Sequence, residues 1–216
     1  MKLLITGGYG FIGSCFIRKT LTETNLSIIN VDSLTYASNA SALGEDVINS
    51  DRYKFYKVDI ADKKKIFDIF KIEKPNRVVN FAAESHVDNS VKNPEIFLKT
   101  NIFGTFNLLE AIRTHHPQAQ IIHISTDEVY GDLLPNEQPF KEENQINPSS
   151  PYSASKAASD HLVSSWARTY KLDYIITNCS NNYGPFQNNE KLIPTIIESL
   201  KKNQKIPIYG NGMQIR

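Results

Sequence analysis

The segment Thr6-Gly7-Gly8-Tyr9-Gly10-Phe11-Ile12-Gly13 constrains this chain more than any other. It joins an apolar run, Lys2–Thr6, to a helical pattern, Phe11–Leu21. Gly7 permits a tight turn, Gly10 lets backbone amides approach a pyrophosphate at the helix N-terminus, and Gly13 lets the helix pack closely on the strand. A strand, a glycine turn and a helix in this order open a dinucleotide-binding unit, so the expected cofactor is a nicotinamide dinucleotide.

The rest of the chain keeps the same rhythm. Apolar runs of strand length lie at Ser27–Val31, Tyr53–Val58, Arg77–Phe81, Gln120–Ser125 and Asp173–Thr177. Helical patterns lie at Ile66–Phe70, Glu95–Arg113, Pro151–Tyr170 and Ile193–Lys201. The strands are continuously apolar, as parallel strands covered on both faces must be. The expected fold is therefore α/β, a Rossmann-like doubly wound parallel sheet with helices on both faces. Two irregular stretches, Ser33–Ser50 and Asp132–Ser150, are long enough to be read either as functional loops or as solvated insertions.

Composition excludes several classes. The 216 residues carry 24 Lys and Arg against 23 Asp and Glu, which leaves no basic surface for nucleic acid or an anionic membrane. No apolar stretch approaches a membrane span, and the N-terminal apolar run stops at glycines, too short for a signal peptide. Cys15 and Cys179 lie far apart and lack metal-ligand spacing, so no metal site is expected and a reducing, cytoplasmic setting is.

Two carboxylates end strands. Asp32 is placed to accept hydrogen bonds from the adenosine ribose and would repel a 2′-phosphate, which favours NAD over NADP. Its alternative reading is a cap for the next segment. Asp59-Ile60 would sit beside the adenine, or Asp59 would cap the following helix. Tyr152 and Lys156 stand four apart at the start of the long helix, on one face. A lysine ammonium beside a phenol would lower its pKa from about 10, which makes Tyr152 a proton acceptor from a sugar or alcohol hydroxyl.

With these residues on the page, the chain resembles the extended short-chain dehydrogenase/reductases. Ala82-Ala83-Glu84-Ser85-His86-Val87-Asp88, Ser125-Thr126-Asp127-Glu128-Val129-Tyr130-Gly131, Asn178-Cys179-Ser180-Asn181-Asn182-Tyr183-Gly184-Pro185 and Glu190-Lys191-Leu192-Ile193-Pro194 narrow this to the nucleotide-sugar 4,6-dehydratases. The resemblance covers essentially the whole chain. It implies NAD as cofactor, a nucleotide-activated glucose as substrate (dTDP-glucose, with UDP-glucose as the alternative carrier), and a homodimer formed through helices of the Rossmann domain.

The resemblance also implies residue roles. Tyr152, with Lys156, takes the O4 proton while NAD takes hydride from C4. Thr126 polarises O4. The resulting ketone acidifies C5, Glu128 removes the C5 proton, and Asp127 protonates the departing C6 hydroxyl. Hydride then returns to C6, so NAD ends as it began. A pair of adjacent carboxyls can divide acid and base roles when their environments differ, and plain oxidation at C4 would not need them. Phe11, Ile12, Ser33, Leu34, Thr35, Phe81, Ala82, Ala83, Glu84, Ser85, Thr100 and Asn182 are implied to line NAD. His86, Asn181, Lys191, Leu192, Pro207, Ile208, Tyr209 and Arg216 are implied to hold the substrate, the two cations suiting a diphosphate. His86 and Thr100 also have ordinary readings as satisfied buried polar groups.

Family members continue well past Arg216, so the expected division is a NAD-binding domain over residues 1–178 and an incomplete nucleotide-sugar region over 179–216. The chain reads as a fragment, or as one completed by a separate chain. Two alternatives stay open: a nucleotide-sugar 4-epimerase, which shares the NAD site and Tyr152 but has no need of Asp127-Glu128, and a non-catalytic remnant.

Overall fold

The computed structural model describes residues 1–134 and 136–208, which fall into two units divided after Ser180. The first unit holds β1 (Lys2–Thr6), α1 (Phe11–Glu23), β2 (Ser27–Asp32), α2 (Glu45–Ile48), β3 (Tyr53–Lys57), α3 (Lys63–Glu73) and β4 (Arg77–Asn80). It continues through α4 (Val87–Lys92), α5 (Pro94–Phe97), α6 (Thr105–His115), β5 (Gln120–Thr126), α7 (Pro151–Tyr170) and β6 (Tyr174–Cys179). All strand pairings are parallel, in the order β3-β2-β1-β4-β5-β6. The expected doubly wound sheet is present. The order reverses between β1 and β4, where such sheets open a ligand crevice.

Alternation along the central strands feeds two apolar layers. Leu4, Ile29 and Val78 face Ile66, Phe70, Leu108, Ile112 and Val163 from α3, α6 and α7. Leu3, Ile5, Ile28 and Val79 face Ile17 and Leu21 of α1. Burial of both faces is why these strands are apolar at consecutive positions.

The long helix expected over Glu95–Arg113 is interrupted. Pro94 starts α5, and the stretch Leu98–Gly104 then winds as a π-helix before α6. Such wide turns concentrate at functional sites. Here the π stretch points Asn101 inward, where it is buried. The short helices α2 and α4 and the single turns Ala40–Ala42 and Asp127–Tyr130 had too few residues to show a period in the sequence. α7 begins at Pro151 behind a capping box in which Ser150 and Ser153 bond each other's backbone amides. A cap of this kind contributes about 1 kcal/mol and fixes the first turn, which carries Tyr152.

The second unit, from Asn181, is irregular up to α8 (Leu192–Lys201). Gln187 Nε2 donates to the Asn182 carbonyl at 2.9 Å, and Thr195 Oγ1 donates to the Asn189 carbonyl at 2.8 Å. Among the described residues, no helix is long and apolar enough to cross a membrane.

Candidate active site

The glycine turn leaves β1 at Gly7, which has φ +69°. A Cβ there would also lie 2.8 Å from the Ala82 amide, so only glycine fits. A Cβ on Gly13 would run into the Gly7 carbonyl, which confirms the close packing of α1 on the turn. The turn is held by Gly7 N–H on the Val31 carbonyl (2.9 Å) and Gly10 N–H on the Gly7 carbonyl (3.0 Å).

Asp32, buried at the end of β2, organises the cradle from the other side. Its Oδ2 accepts the Tyr9 N–H at 2.9 Å, and its Oδ1 accepts the Leu34 N–H at 2.8 Å and the Ser38 hydroxyl at 3.1 Å. The carboxylate thus caps the next segment, as one reading had it, and also faces the crevice. Asp59 Oδ1 accepts the Ala61 N–H at 2.8 Å, while the cap of α3 is Asp62 rather than Asp59.

A cleft at the carboxyl ends of β1 to β4 is lined by Gly7, Gly10, Asp32, Ser33, Thr35, Asp59, Ile60, Phe81, Ala82, Ala83, Glu84 and Thr100, all expected at the cofactor. Val31, Ala37, Ser38, Val58, Ile96 and Lys99 also line it and were not singled out in the sequence. Val31, Val58 and Lys99 adjoin expected residues, but nothing in their own pattern marks them. Phe11, Ile12, Gly13, Leu34, Ser85, Tyr152 and Lys156 lie outside this lining. His86 accepts the Asn89 N–H on Nδ1 at 3.3 Å and so caps α4.

The acid–base residues meet where β5 ends. Thr126 caps the turn that follows, its Oγ1 accepting the Glu128 N–H at 3.2 Å and its hydroxyl donating to Asp127 Oδ1 at 3.3 Å. Tyr152 comes from the first turn of α7, half-buried, with its ring edge-on to Phe97 at 6.3 Å. Its proton affinity is raised, first by burial and then by the charge of Glu128, with Cys179 and Asp127 adding to it. A hydrogen bond with the Thr126 hydroxyl opposes them. Thr126, Asp127, Glu128 and Tyr152 are therefore brought together.

Lys156 reaches under α7 toward β5. Its buried ammonium donates to the Ile124 carbonyl at 2.8 Å and lies 3.3 Å from His123 Nε2. The Tyr152 phenol has its pKa raised rather than lowered, burial being the largest cause. Sharing a helix face was not enough, because a four-carbon side chain can also turn under the helix toward the carbonyls of β5. Burial lowers Lys156 itself to about 8, with Asp160 opposing.

Asn181, Asn182, Lys191, Leu192, Pro207 and Ile208 belong to the second unit. Asn181, Asn182, Leu192, Pro207 and Ile208 are exposed, and the Lys191 carbonyl accepts the Thr195 N–H at 2.9 Å in the first turn of α8. Tyr209 and Arg216 lie outside the described residues. Among the described residues, no group of three His, Cys, Asp or Glu side chains could hold a metal ion.

Known proteins give this geometry a setting. A dTDP-glucose 4,6-dehydratase of Neisseria meningitidis serogroup B is 50% identical over 223 residues, covering 100% of this chain and 62% of that protein. One from Haemophilus influenzae is 51% identical over 224 residues, covering 100% and 66%. The chain spans just under two thirds of the length of these relatives. The solved structure of DesIV, a dTDP-glucose 4,6-dehydratase of Streptomyces venezuelae with NAD bound, superposes with a TM-score of 0.92 at 41% identity, covering 98% of this chain and 66% of that one. A Thermus thermophilus UDP-glucose 4-epimerase with NAD gives 0.88 at 29% identity, covering 97% and 66%. A family model described as GDP-mannose 4,6 dehydratase matches residues 4–216. By that match, and by its likeness to these dehydratases, the chain belongs to the GDP-mannose 4,6 dehydratase family.

Proposed function

We propose that this chain carries the cofactor site and the acid–base residues of a dTDP-glucose 4,6-dehydratase, a hydro-lyase. The observation that carries the reading is the gathering of Thr126, Asp127 and Glu128 around the Tyr152 phenol. Oxidation or epimerisation at C4 needs one proton acceptor, whereas loss of water across C5 and C6 needs an acid and a base besides. Identity of about half the residues to proteins of that name supports the same substrate class.

The cleft fits NAD. Gly7 and Gly10 line it without side chains to obstruct a pyrophosphate, and the Asp32 carboxylate suits ribose hydroxyls and disfavours a 2′-phosphate. When bound, NAD supplies reversible redox chemistry at the sugar. The chain's own residues handle the protons. Tyr152 takes the O4 proton as the phenolate, a form that burial and the charge of Glu128 oppose and that a cation nearby would favour. Thr126 hydrogen-bonds O4. Glu128 takes the proton from C5, Asp127 gives one to the C6 hydroxyl, which leaves as water, and a proton then returns to C5.

By the same resemblance, His86 contacts the sugar. Asn181, Lys191, Leu192, Pro207 and Ile208 serve the nucleotide diphosphate and its base, and Asn182 serves the cofactor. The assembly read from the family is a cytoplasmic homodimer through the helices of the first unit. The exposed Leu98 and Phe103 on the α5–α6 run suit that role.

The test is incubation with dTDP-glucose or UDP-glucose in deuterated water, analysed by mass spectrometry and NMR. A 4-keto-6-deoxy sugar with deuterium at C5, formed faster from dTDP-glucose, is expected. Glu128→Gln should oxidise C4 but lose C5 exchange, and Asp127→Asn should retain exchange but stall before the 6-deoxy product. Formation of the C4 epimer instead would show the epimerase on the same scaffold.

A further inference from the structure

We propose that His123 and Asp160 are positioning residues for Lys156, turning its ammonium onto the Ile124 carbonyl and giving it a buried counter-charge. No motif marks them. His123 sits mid-strand in β5, and Asp160 lies one turn beyond Lys156 on α7.

A single chain of hydrogen bonds orients the imidazole. The Ala82 N–H donates to Thr6 Oγ1 at 3.2 Å, so the Thr6 hydroxyl proton goes to Asn80 Oδ1 at 2.6 Å. That pins the Asn80 amide and aims its Nδ2 at His123 Nδ1, 3.1 Å away. Nδ1 must then accept, which assigns the ring proton to Nε2. Nε2–H faces Ser159 Oγ at 3.1 Å, whose own proton goes to the Lys156 carbonyl at 2.7 Å. It also faces Asp160 Oδ1 at 3.4 Å.

Lys156 therefore meets a donor at His123, and its hydrogen bond goes to the Ile124 carbonyl instead. Asp160 Oδ2 takes the Ser125 hydroxyl at 2.6 Å, while its buried Oδ1, 3.4 Å from His123 Nε2, takes no hydrogen bond among the described residues. The titratable groups acting on Lys156 are Asp160 of α7 and Cys179 of β6, both favouring the ammonium, with His123 of β5 in contact. Burial and the Lys156 charge press His123 down to about 4, which keeps the imidazole neutral and the relay intact. The chain of bonds starts at Thr6 and Ala82, beside the glycine turn, and ends one helical turn from Tyr152. The cradle and the acid–base site thus share one polar core.

The inference rests on Lys156 belonging to the machinery of the proposed function, but its test reads His123 and Lys156 directly. In the histidine-15N-labelled chain, the resonances absent from His123→Gln identify His123. They should show a neutral ring protonated on Nε2 at about pH 6. The Nδ1–H tautomer, or an imidazolium, overturns the proposal without any need for an Asp160 variant to fold. In the lysine-13C-labelled chain, the Lys156 Cε signal should titrate near 8. Asp160→Asn should lower that midpoint by about one unit or more, and Asp160→Glu should restore it. A folded Asp160→Asn protein with an unchanged midpoint also overturns the proposal. Loss of turnover on sugar nucleotides with these NMR results intact would count against the proposed function and leave this inference standing.

Discussion

Asn101 and Glu84 hold each other by two opposed hydrogen bonds: the Glu84 N–H donates to Asn101 Oδ1 at 2.9 Å, and Asn101 Nδ2 donates to the Glu84 carbonyl at 3.0 Å. The second Nδ2 proton goes to Ser155 Oγ at 2.8 Å, and Ser155 donates to the Tyr152 carbonyl at 2.7 Å. One amide from the π-helical stretch thereby ties the loop after β4, which lines the cofactor cleft, to the turn that presents Tyr152. Asn101→Leu leaves the Glu84 N–H and carbonyl buried without these partners, a loss of about 1–3 kcal/mol. Urea unfolding should report that loss, and purified protein should retain less NAD. A variant as stable as the parent would show that the amide does not hold this loop.

Asp32 holds the glycine turn through the Tyr9 N–H as well as facing the ribose site. Asp32→Ala removes both roles and should reduce NAD retention and stability together. Asp32→Asn keeps an acceptor for one backbone amide and removes the charge, so it should relax discrimination against NADP while remaining the more stable of the two. Calorimetric titration with each dinucleotide checks this, and a parent chain that binds NADP more tightly than NAD would refute the role given to Asp32.

Tyr152→Phe keeps the contact with Phe97 and removes only the hydroxyl. Sugar nucleotide should still bind, but the absorbance of reduced nicotinamide on mixing should appear about 10²–10⁴ times more slowly. A transient of parental rate would remove Tyr152 from the proton transfer.

His123 makes stability depend on pH. Its folded pKa is about 4, against an ordinary value of 6.5, so the unfolded chain binds a proton that the folded chain refuses. Stability should be fully present above about 6.5 and fall as the pH drops toward 4, by an amount on the order of 3 kcal/mol. His123→Gln should flatten that part of the curve, measured as urea midpoints across the range. An unchanged slope in a folded variant would mean that other groups carry it.

Much of this architecture was legible before folding. The apolar runs located all six strands, most clearly the central β1, β2 and β4, where burial on both faces demands consecutive apolar residues, and Gly7 and Gly13 announced their turn because no other side chain fits there. The boundaries of α7 at Pro151 and Tyr170 followed from its N-terminal proline and its helical pattern. Periodicity could not reveal the π-helical stretch inside the helix expected over Glu95–Arg113, since a single widened turn leaves the apolar face nearly unchanged while swinging Asn101 inward. Spacing alone also did not show where Lys156 puts its charge. Residues four apart share a helix face, but where a long side chain puts its charge depends on which acceptor the neighbouring strand offers, and here that is the Ile124 carbonyl. The partnership of His123 and Asp160, 37 positions apart on a strand and a helix, exists only because the sheet and α7 bury both polar groups together. Once water is excluded, each must find its hydrogen bonds or its counter-charge in the other elements.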